Sequence, residues 1–191
     1  MSLLILDNYD SFTYNLVHQV EQFTDDFEVR RNDEIELAAL DEFDSFLLSP
    51  GPGLPKDAGI MPELIRTQMG KKKILGVCLG MQGILEHLGC QLVNMPEVLH
   101  GRSTEIQIIS NEGLFQGFED RIEVGRYHSW AVRDLKESLD DQMTISSKDE
   151  NGYIMSVEWP KQKLYGVQFH PESIMTKNGI RIVENWLNVR V

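Results

Sequence analysis

The stretch Lys73-Ile74-Leu75-Gly76-Val77-Cys78-Leu79-Gly80-Met81-Gln82 joins an apolar run to a segment with helical spacing. The run Lys73–Val77 is typical of a buried strand, and apolar residues at positions 81, 84, 85 and 88 lie on one face of a helix that ends at Gly89. Cys78 therefore stands at a sharp strand-to-helix turn, with a glycine two residues away on either side. Glycines there keep side chains from colliding with the strand and the helix. The pattern predicts a nucleophile elbow that presents Cys78.

The turn also gives Cys78 a favourable electrostatic position. At a helix N-terminus, the helix dipole and the free backbone N–H groups stabilise negative charge on a cysteine sulfur. The N–H of Leu79 is then free to point at a negatively charged oxygen in a reaction intermediate. The alternative is a small buried cysteine in a tight turn, but the glycines and the following helix favour catalysis. Cys90 follows a helix end without such a context, so we expect it to be structural.

Strand-like and helix-like segments alternate before this elbow, whereas strand-like segments dominate after residue 90. Repeated strand–helix units predict parallel strands with helices on both faces of the sheet. We therefore expect one domain over residues 1–191: a three-layer α/β fold with a central, mostly parallel mixed sheet flanked by helices, and an added antiparallel portion in the second half. The predicted strands are Leu3–Asp7, Phe27–Arg31, Phe43–Ser49, Lys73–Val77, Gln91–Asn94, Thr104–Ser110, Arg121–Tyr127, Met143–Ser147, Tyr153–Trp159 and Leu164–Phe169. The predicted helices begin near Phe12, Ile60, Met81 and Lys177.

Composition and charge exclude several classes of function. The chain has 191 residues, with 30 acidic against 18 basic side chains and a formal net charge of −12. Such a surface repels phosphate backbones and anionic lipids, so we expect neither nucleic acid nor a membrane as a partner. Two cysteines are too few for a disulfide scaffold, and no apolar run is long enough to cross a bilayer. Together with the lack of a secretory signal, these features predict a cytoplasmic protein.

His170 is the candidate general base. It follows the predicted strand Leu164–Phe169, at the carboxyl edge where open α/β sheets place their sites. The proline that comes next fixes the chain, so the carboxylate of Glu172 can reach back to orient the imidazole and stabilise its charged form. In isolation His-Pro-Glu is an ordinary polar turn, and His128, which also ends a strand, is a competing candidate. Beside a cysteine elbow, His170 and Glu172 complete a nucleophile–base–orienter set.

The loop Ser49-Pro50-Gly51-Pro52-Gly53-Leu54-Pro55 follows another predicted core strand. Proline has no N–H, so after Ser49 the loop offers amide donors only at Gly51, Gly53 and Leu54. Proline rigidity and the access of glycine to positive φ favour a preformed second donor for a developing oxyanion. The glycine spacing matches neither the P-loop nor the dinucleotide-binding fingerprint, so it does not predict a phosphate site.

The elbow from Cys78 to Gln82, the Pro/Gly loop through Gly53 and the segment Gly166-Val167-Gln168-Phe169-His170-Pro171-Glu172 together resemble the class I (triad) glutamine amidotransferases. The order and spacing of these motifs cover nearly the whole chain. The opening Leu6-Asp7-Asn8-Tyr9-Asp10-Ser11-Phe12-Thr13-Tyr14-Asn15 narrows the resemblance to the glutaminase subunits of anthranilate synthase and of 4-amino-4-deoxychorismate (para-aminobenzoate) synthase. The segments His100-Gly101-Arg102-Ser103 and Arg126-Tyr127-His128-Ser129 do the same. Met81 is a departure, since that subgroup often has histidine there.

The resemblance implies a role for each matching residue. The implied roles are the catalytic triad (Cys78, His170, Glu172), the oxyanion hole (Gly53, Leu79), binding of the glutamine substrate (Gly51, Gly53, Gln82, Ser129, Trp130) and contact with a partner (His100, Gly101). The implied reaction is hydrolysis of L-glutamine to glutamate and ammonia through a thioester on the cysteine. The ammonia would pass to a chorismate-binding synthase subunit. No cofactor and no metal ion are expected on this chain.

Other readings of the same residues stay open. A glutaminase of the same class serving another ammonia acceptor shares the triad motifs. A cysteine peptidase or γ-glutamyl hydrolase on a similar sheet leaves the opening motif unexplained. A flavodoxin-like binding module with a buried cysteine predicts that Cys78→Ala changes no activity, and it makes the co-occurrence of three motifs a coincidence.

Overall fold

A computed structural model describes residues 2–189 of the chain, and most of its strands join one sheet. The strands are β1 (Leu3–Asp7), β2 (Phe27–Arg31), β3 (Ser45–Leu48), β4 (Lys73–Val77), β5 (Leu92–Asn94), β6 (Arg102–Ile108), β7 (Arg121–Arg126), β8 (Trp130–Val132), β9 (Thr144–Asp149), β10 (Ile154–Trp159) and β11 (Leu164–Val167). The α-helices are α1 (Thr13–Val20), α2 (Met61–Gln68), α3 (Leu79–His87) and α4 (Ile180–Asn188).

Nine strands form a sheet in the order β2-β1-β3-β4-β11-β10-β9-β6-β7, and β5 pairs with β8 in a separate antiparallel ribbon. The four ladders from β2 to β11 are parallel. The four ladders from β11 to β7 are antiparallel. The predicted α/β class is therefore confirmed, and within residues 2–189 the antiparallel portion of this sheet is as extensive as the parallel one.

Helices cover both faces of the parallel strands, and all of these strands except the edge strand β2 are buried almost throughout. In β1, Leu3 and Ile5 belong to the core that includes side chains of α1 and α4, whereas Leu4 and Leu6 belong to the core that includes α2 and α3. Successive strand residues point to opposite faces, so each strand supplies both cores. Among residues 2–189, no helix is long and apolar enough to cross a membrane.

The element boundaries differ from the prediction where the site is built. The strand predicted to reach Phe169 ends at Val167, and His170 instead forms an isolated antiparallel bridge with Gly125 of β7. The three-residue strand β8 was missed, because so short a segment shows no recognisable alternation. The bridge brings the segment after β7 against the segment after β11.

Candidate active site

Cys78 occupies a strained turn between β4 and α3. Its backbone has φ 53° and ψ −103°, a positive φ that non-glycine residues seldom adopt, and its N–H donates to the oxygen of Val167 at 2.8 Å. A Cβ on Gly76 would lie 2.4 Å from the carbonyl carbon of Gly80, and one on Gly80 would lie 2.6 Å from the oxygen of Leu48. Both glycines are required by close backbone packing. The predicted elbow is confirmed as a backbone conformation.

The Pro/Gly loop lies beside this elbow. A Cβ on Gly51 would lie 2.6 Å from the oxygen of Asn8 and 2.8 Å from Cδ2 of Leu79, so the loop packs directly on the first residue of α3. Asn8 fixes the start of the loop, since its N–H donates to Oγ of Ser49 and its Nδ2 to the oxygen of Ser49, both at 2.9 Å. Gly53 has φ +78°, and a Cβ there would meet nothing within 4 Å. Gly53 is thus required by its conformation, and Gly51 by its packing.

His170 and Glu172 form the orienting pair that the sequence predicts. Nδ1 of His170 lies 2.6 Å from Oε1 of Glu172, and both side chains are buried. Because a carboxylate only accepts, Nδ1 carries the proton and Nε2 is directed away from the carboxylate. The N–H of His170 donates to the oxygen of Gly125 at 3.0 Å, and Oγ1 of Thr176 donates to the oxygen of His170 at 2.5 Å. The imidazole of His170 is thus held at its ring and at its backbone.

The surroundings of His170 favour its charged form. Burial lowers its pKa, but Cys78 and Glu172 outweigh that effect and raise the pKa to about 11. Nε2 of His170 is buried and has no hydrogen-bond partner among residues 2–189, although the cysteine side chain is close enough to affect its pKa. Catalytic hydrogen bonds are often incomplete without substrate. The imidazole of His170 is therefore charged at neutral pH and lies close to the cysteine side chain.

Two aromatic rings pack against the imidazole. Tyr127 lies 4.8 Å from it between ring centroids and Phe12 lies 5.9 Å from it, both in edge-to-face contact. The sequence analysis assigns no role in the site to either ring. Because Phe12 precedes α1 and Tyr127 follows β7, both contacts depend on the tertiary fold and have no local sequence signal.

A small cavity of about 160 Å³ gathers most of the predicted site residues. Its lining is Gly51, Pro52, Gly53, Cys78, Gln82, Tyr127, His128, Ser129 and Trp130. Leu79 lies beside the cavity, and its N–H is one of the first in α3, which have no acceptor within the helix. A larger cavity of about 760 Å³, on the antiparallel part of the sheet, has none of the predicted site residues in its lining. Of these two cavities, the smaller one is lined by Cys78, the candidate nucleophile.

The cavity wall at Ser129 and Trp130 is fixed by hydrogen bonds to one carbonyl. Nε2 of Gln82 donates to the oxygen of Trp130 at 2.8 Å, and Nδ1 of His128 lies 2.9 Å from the same oxygen. Burial, followed by the charge of Arg126, lowers the pKa of His128 to about 3, so the ring is neutral. Its Nε2 accepts from Nε of Arg126 at 3.1 Å, which leaves the proton on Nδ1. His128 is therefore a structural group and not a competing base.

The predicted partner-facing residues lie next to the cavity and outside its lining. His100 is exposed, and its ring lies 6.1 Å from that of Tyr127. Three backbone hydrogen bonds join its loop to the cavity wall: the N–H groups of residues 95, 99 and 101 donate to the oxygens of residues 129, 128 and 126. Gly101 has φ +70°, which the turn requires. The loop is therefore continuous with the wall that holds Ser129 and Trp130.

Comparisons with known proteins agree with this geometry. A model of the family glutamine amidotransferase class-I matches residues 4–189. The chain is 41% identical over 186 residues to an anthranilate synthase component 2 of Lactococcus lactis, covering 97% of this chain and 93% of that protein. It is 37% identical over 187 residues to the aminodeoxychorismate/anthranilate synthase component 2 of Bacillus subtilis, covering 97% and 95%.

Solved structures show the same fold. A Thermoplasma acidophilum protein, solved as a candidate component of GMP synthase, superposes with a TM-score of 0.86 at 24% identity, covering 98% of this chain and 92% of that chain. A glutamine amidotransferase from Thermotoga maritima superposes with a TM-score of 0.72 at 20% identity, covering 98% and 80%. With the family model matched over nearly the whole chain, the chain belongs to the class-I glutamine amidotransferases.

Proposed function

We propose that this glutaminase uses Cys78, His170 and Glu172 to hydrolyse L-glutamine and delivers the ammonia to a chorismate-using synthase subunit. The observation that carries the proposal is the cavity lined both by the elbow cysteine and by the wall of Ser129 and Trp130. The relatives at about 40% identity are named as second components of anthranilate or aminodeoxychorismate synthases, which supports the choice of acceptor. A reduced cysteine suits action in the cytoplasm.

In the first half-reaction, the Cys78 thiolate attacks the side-chain amide carbon of glutamine and the carbonyl oxygen becomes an oxyanion. The N–H groups of Leu79 and Gly53 donate to that oxygen. The proton on Nε2 of His170 passes to the departing nitrogen, and ammonia leaves as the C–N bond breaks. The product is a γ-glutamyl thioester on the cysteine.

In the second half-reaction, Nε2 of the neutral His170 takes a proton from water, and the hydroxide adds to the thioester carbon. The same two N–H groups stabilise the oxyanion again. The C–S bond then breaks, which releases glutamate and regenerates the thiolate beside an imidazolium held by Glu172. Glutamine and water are consumed and glutamate and ammonia are formed, with side chains and backbone groups of this chain alone. The proposal requires no cofactor or metal ion here.

The carboxylate and amino group of glutamine bind at Gln82 and at the wall of Ser129 and Trp130. Both hydrogens on Nε2 of Gln82 are committed, one to the oxygen of Trp130 at 2.8 Å and one to Oε1 of Gln168 at 3.2 Å. The Gln82 carboxamide is therefore fixed with Oε1 as the acceptor available to an ammonium group. Backbone groups of Ser129 and Trp130 bind the α-carboxylate in this proposal.

The partner docks around the mouth of this cavity. Of the seven large apolar side chains that are exposed among residues 2–189, four flank site segments. Tyr9 and Tyr14 lie on either side of Phe12, Val98 lies in the loop before His100, and Ile174 is 98% exposed two residues after the triad glutamate. Exposed apolar groups beside the segments of a site are typical of a protein interface. Docking there also encloses the ammonia, which neutral water would protonate.

The first test of this proposal is capture of the thioester. Brief mixing with glutamine followed by acid quench and peptide mass spectrometry detects a γ-glutamyl group on Cys78, and Cys90 serves as the internal control. We expect modification of Cys78 alone, and more of it in Glu172→Gln, where deacylation is slowed. Absence of the thioester under conditions that release glutamate would contradict the covalent mechanism.

The docking surface is tested separately by partner binding. Ile174→Asp introduces a charge at the proposed interface, and Ile109→Asp introduces the same charge at an exposed isoleucine, 56% accessible, that follows β6. We expect Ile174→Asp to weaken binding of the chorismate-using subunit by tenfold or more, on the order of a hot-spot loss. Ile109→Asp binds as the parent does. Equal affinity of both variants would remove Ile174 from the interface.

A further inference from the structure

Gln168 is a buried polar residue that the reaction described above does not use. It lies between β11 and His170, is 1% exposed, and its N–H donates to the oxygen of Met155 at 2.8 Å. Its neighbours Val167 and Phe169 belong to the core on the α1 and α4 side, so Gln168 points to the opposite side of the chain. There its Nε2 lies 3.6 Å from Sγ of Cys78, within the range for a hydrogen bond to sulfur.

The direction of this hydrogen bond follows from two groups that can act only as acceptor or only as donor: the carbonyl of Trp130 and the NH₂ of Gln82. The carbonyl of Trp130 can only accept, so the group of Gln82 that lies 2.8 Å from it is the NH₂. The second hydrogen of that NH₂ is donated to Gln168 at 3.2 Å, so the atom of Gln168 that receives it is Oε1. Nε2 of Gln168 is then the atom that faces the sulfur. Cys78 is left as the acceptor.

The hydrogen bonds from Arg126 through His128 to the Trp130 carbonyl can also be assigned a direction. The guanidinium of Arg126 can only donate, so Nε2 of His128 accepts and its Nδ1–H donates to the oxygen of Trp130. Arg126 is itself fixed by Asp149, with Nη1 at 2.8 Å from Oδ2 and both side chains almost fully buried. The amide chain that reaches the sulfur is therefore held in one orientation from both sides.

We propose that Gln168 is a further catalytic residue, whose side-chain N–H donates to the Cys78 sulfur and stabilises the thiolate in the resting enzyme. A hydrogen bond to an ionised acceptor is stronger than one to a neutral acceptor, so this donor favours the thiolate over the thiol. The thiolate is the nucleophilic form of cysteine. Gln168 thus complements the imidazolium of His170, which acts on the same sulfur through charge.

The position of Gln168 also predicts which kinetic constant it affects. Gln168 is absent from the lining of the cavity of about 160 Å³, whereas its partner Gln82 is part of that lining. Loss of Gln168 therefore lowers kcat and leaves the KM for glutamine nearly unchanged. Loss of Gln82 both misorients Gln168 and removes a contact to the substrate, so it lowers kcat and raises KM.

The test is alkylation of Cys78 by iodoacetamide as a function of pH, in a Cys90→Ala background that leaves a single thiol. The assay reports the thiolate and needs neither glutamine nor a partner, so it is independent of the ammonia acceptor. It rests only on Cys78 being the nucleophile, and slow alkylation of the parent itself would count against that assignment. Gln168→Met removes the donor with little change of shape. We expect the pH midpoint of alkylation to rise by about one unit, a roughly tenfold loss of thiolate below the midpoint.

Gln68→Met is the matched control. Gln68 is also a buried glutamine, 3% exposed, but it ends α2 near the amino end of β4, at the edge of the sheet away from the site. We expect it to lower the melting temperature without moving the alkylation midpoint. If Gln168→Met does not fold, Gln82→Met tests the same donor through its orientation and shifts the midpoint in the same direction by a smaller amount. A midpoint equal to that of the parent in whichever of these two variants folds would overturn the proposal.

Discussion

The ring of Tyr127 packs edge-on against the imidazole of His170, with 4.8 Å between the ring centroids. The Tyr127 hydroxyl also lies 3.2 Å from Oγ of Ser173, on the segment that carries Glu172. Since the exposed His100 packs on the same tyrosine ring, one side chain joins the proposed partner loop to the imidazole of His170. Tyr127 is therefore expected to hold the imidazole in place and to respond to docking.

Replacement of Tyr127 separates its ring from its hydroxyl. Tyr127→Phe keeps the ring contact, so we expect kcat for glutamine within a few-fold of the parent. Tyr127→Leu removes the aromatic contact, on the order of 1 kcal/mol, and we expect kcat to fall about tenfold. Steady-state glutamate release with the partner present measures both, and thermal unfolding checks the fold. Equal kcat for the two variants would show that the ring does not position the base.

Cys78 and Glu172 both raise the pKa of His170. The folded pKa of His170 is about 11, above its ordinary value of 6.5, so the imidazolium persists through neutral pH and is lost only as pH rises toward the folded pKa. Glu172→Gln removes one of the two groups that raise this pKa. We expect kcat to fall by about 10² or more and the alkaline limb of the pH–rate profile to move to lower pH. Glu172→Asp keeps the charge and moves the limb less. An unchanged alkaline limb in Glu172→Gln would contradict the assignment.

Gly53 and Gly152 form a matched pair for the oxyanion loop. Their φ angles are +78° and +81°, and a Cβ at either position meets nothing within 4 Å. Alanine at each position costs about 1 kcal/mol of backbone strain without a clash. We expect Gly53→Ala to lower kcat by about 10- to 100-fold. The loop relieves the strain by changing its backbone angles, which rotates the Gly53 N–H, a proposed donor, away from the oxyanion. Gly152→Ala, in the turn between β9 and β10, leaves kcat unchanged. The same kcat in both variants would exclude the Gly53 N–H from the oxyanion hole.

Glu158 makes the stability of the chain depend on pH. Burial raises the pKa of this carboxyl to about 7 from an ordinary value of 4.5, and the N–H of Leu114 opposes the shift only in part. A raised folded pKa means that the folded state binds the proton more tightly, so the free energy of unfolding falls as pH rises from about 4.5 to 7. We expect Glu158→Gln to be more stable than the parent at pH 8 by roughly 1 to 3 kcal/mol. At pH 4 the two should be nearly equal in urea unfolding. A constant difference at both pH values would refute this origin.

The sequence predicted those elements whose signals are local. The bounds of β1, β2 and β4 agree with the prediction, because β1 and β2 are followed by an asparagine and β4 by the cysteine turn. The elbow was predictable because Gly76 and Gly80 mark a turn in which a Cβ cannot fit. The extent of the antiparallel portion could not be predicted from the sequence, since strand order depends on pairings between distant segments.

Residues that act through tertiary contacts gave no comparable signal. Gln168 lies inside a motif used to assign the family, but its hydrogen bond to sulfur arises only when β4 and β11 pair. Tyr127 reaches the imidazole because the bridge between Gly125 and His170 joins two segments 45 residues apart in the chain. Phe12 reaches it from the segment before α1, which is farther away still in sequence. Such contacts follow from the fold and not from periodicity or spacing.

The most direct test of the account is glutamate release by the purified chain, titrated with each candidate chorismate-using subunit, with Cys78→Ala in parallel. We predict that release is accelerated by one of these subunits and that formation of its aminated product matches the glutamate released. Cys78→Ala should abolish both while still binding the same partner. No acceleration by any of these subunits, at concentrations where binding is measured, would contradict the chorismate assignment. Full activity of Cys78→Ala would contradict the mechanism itself.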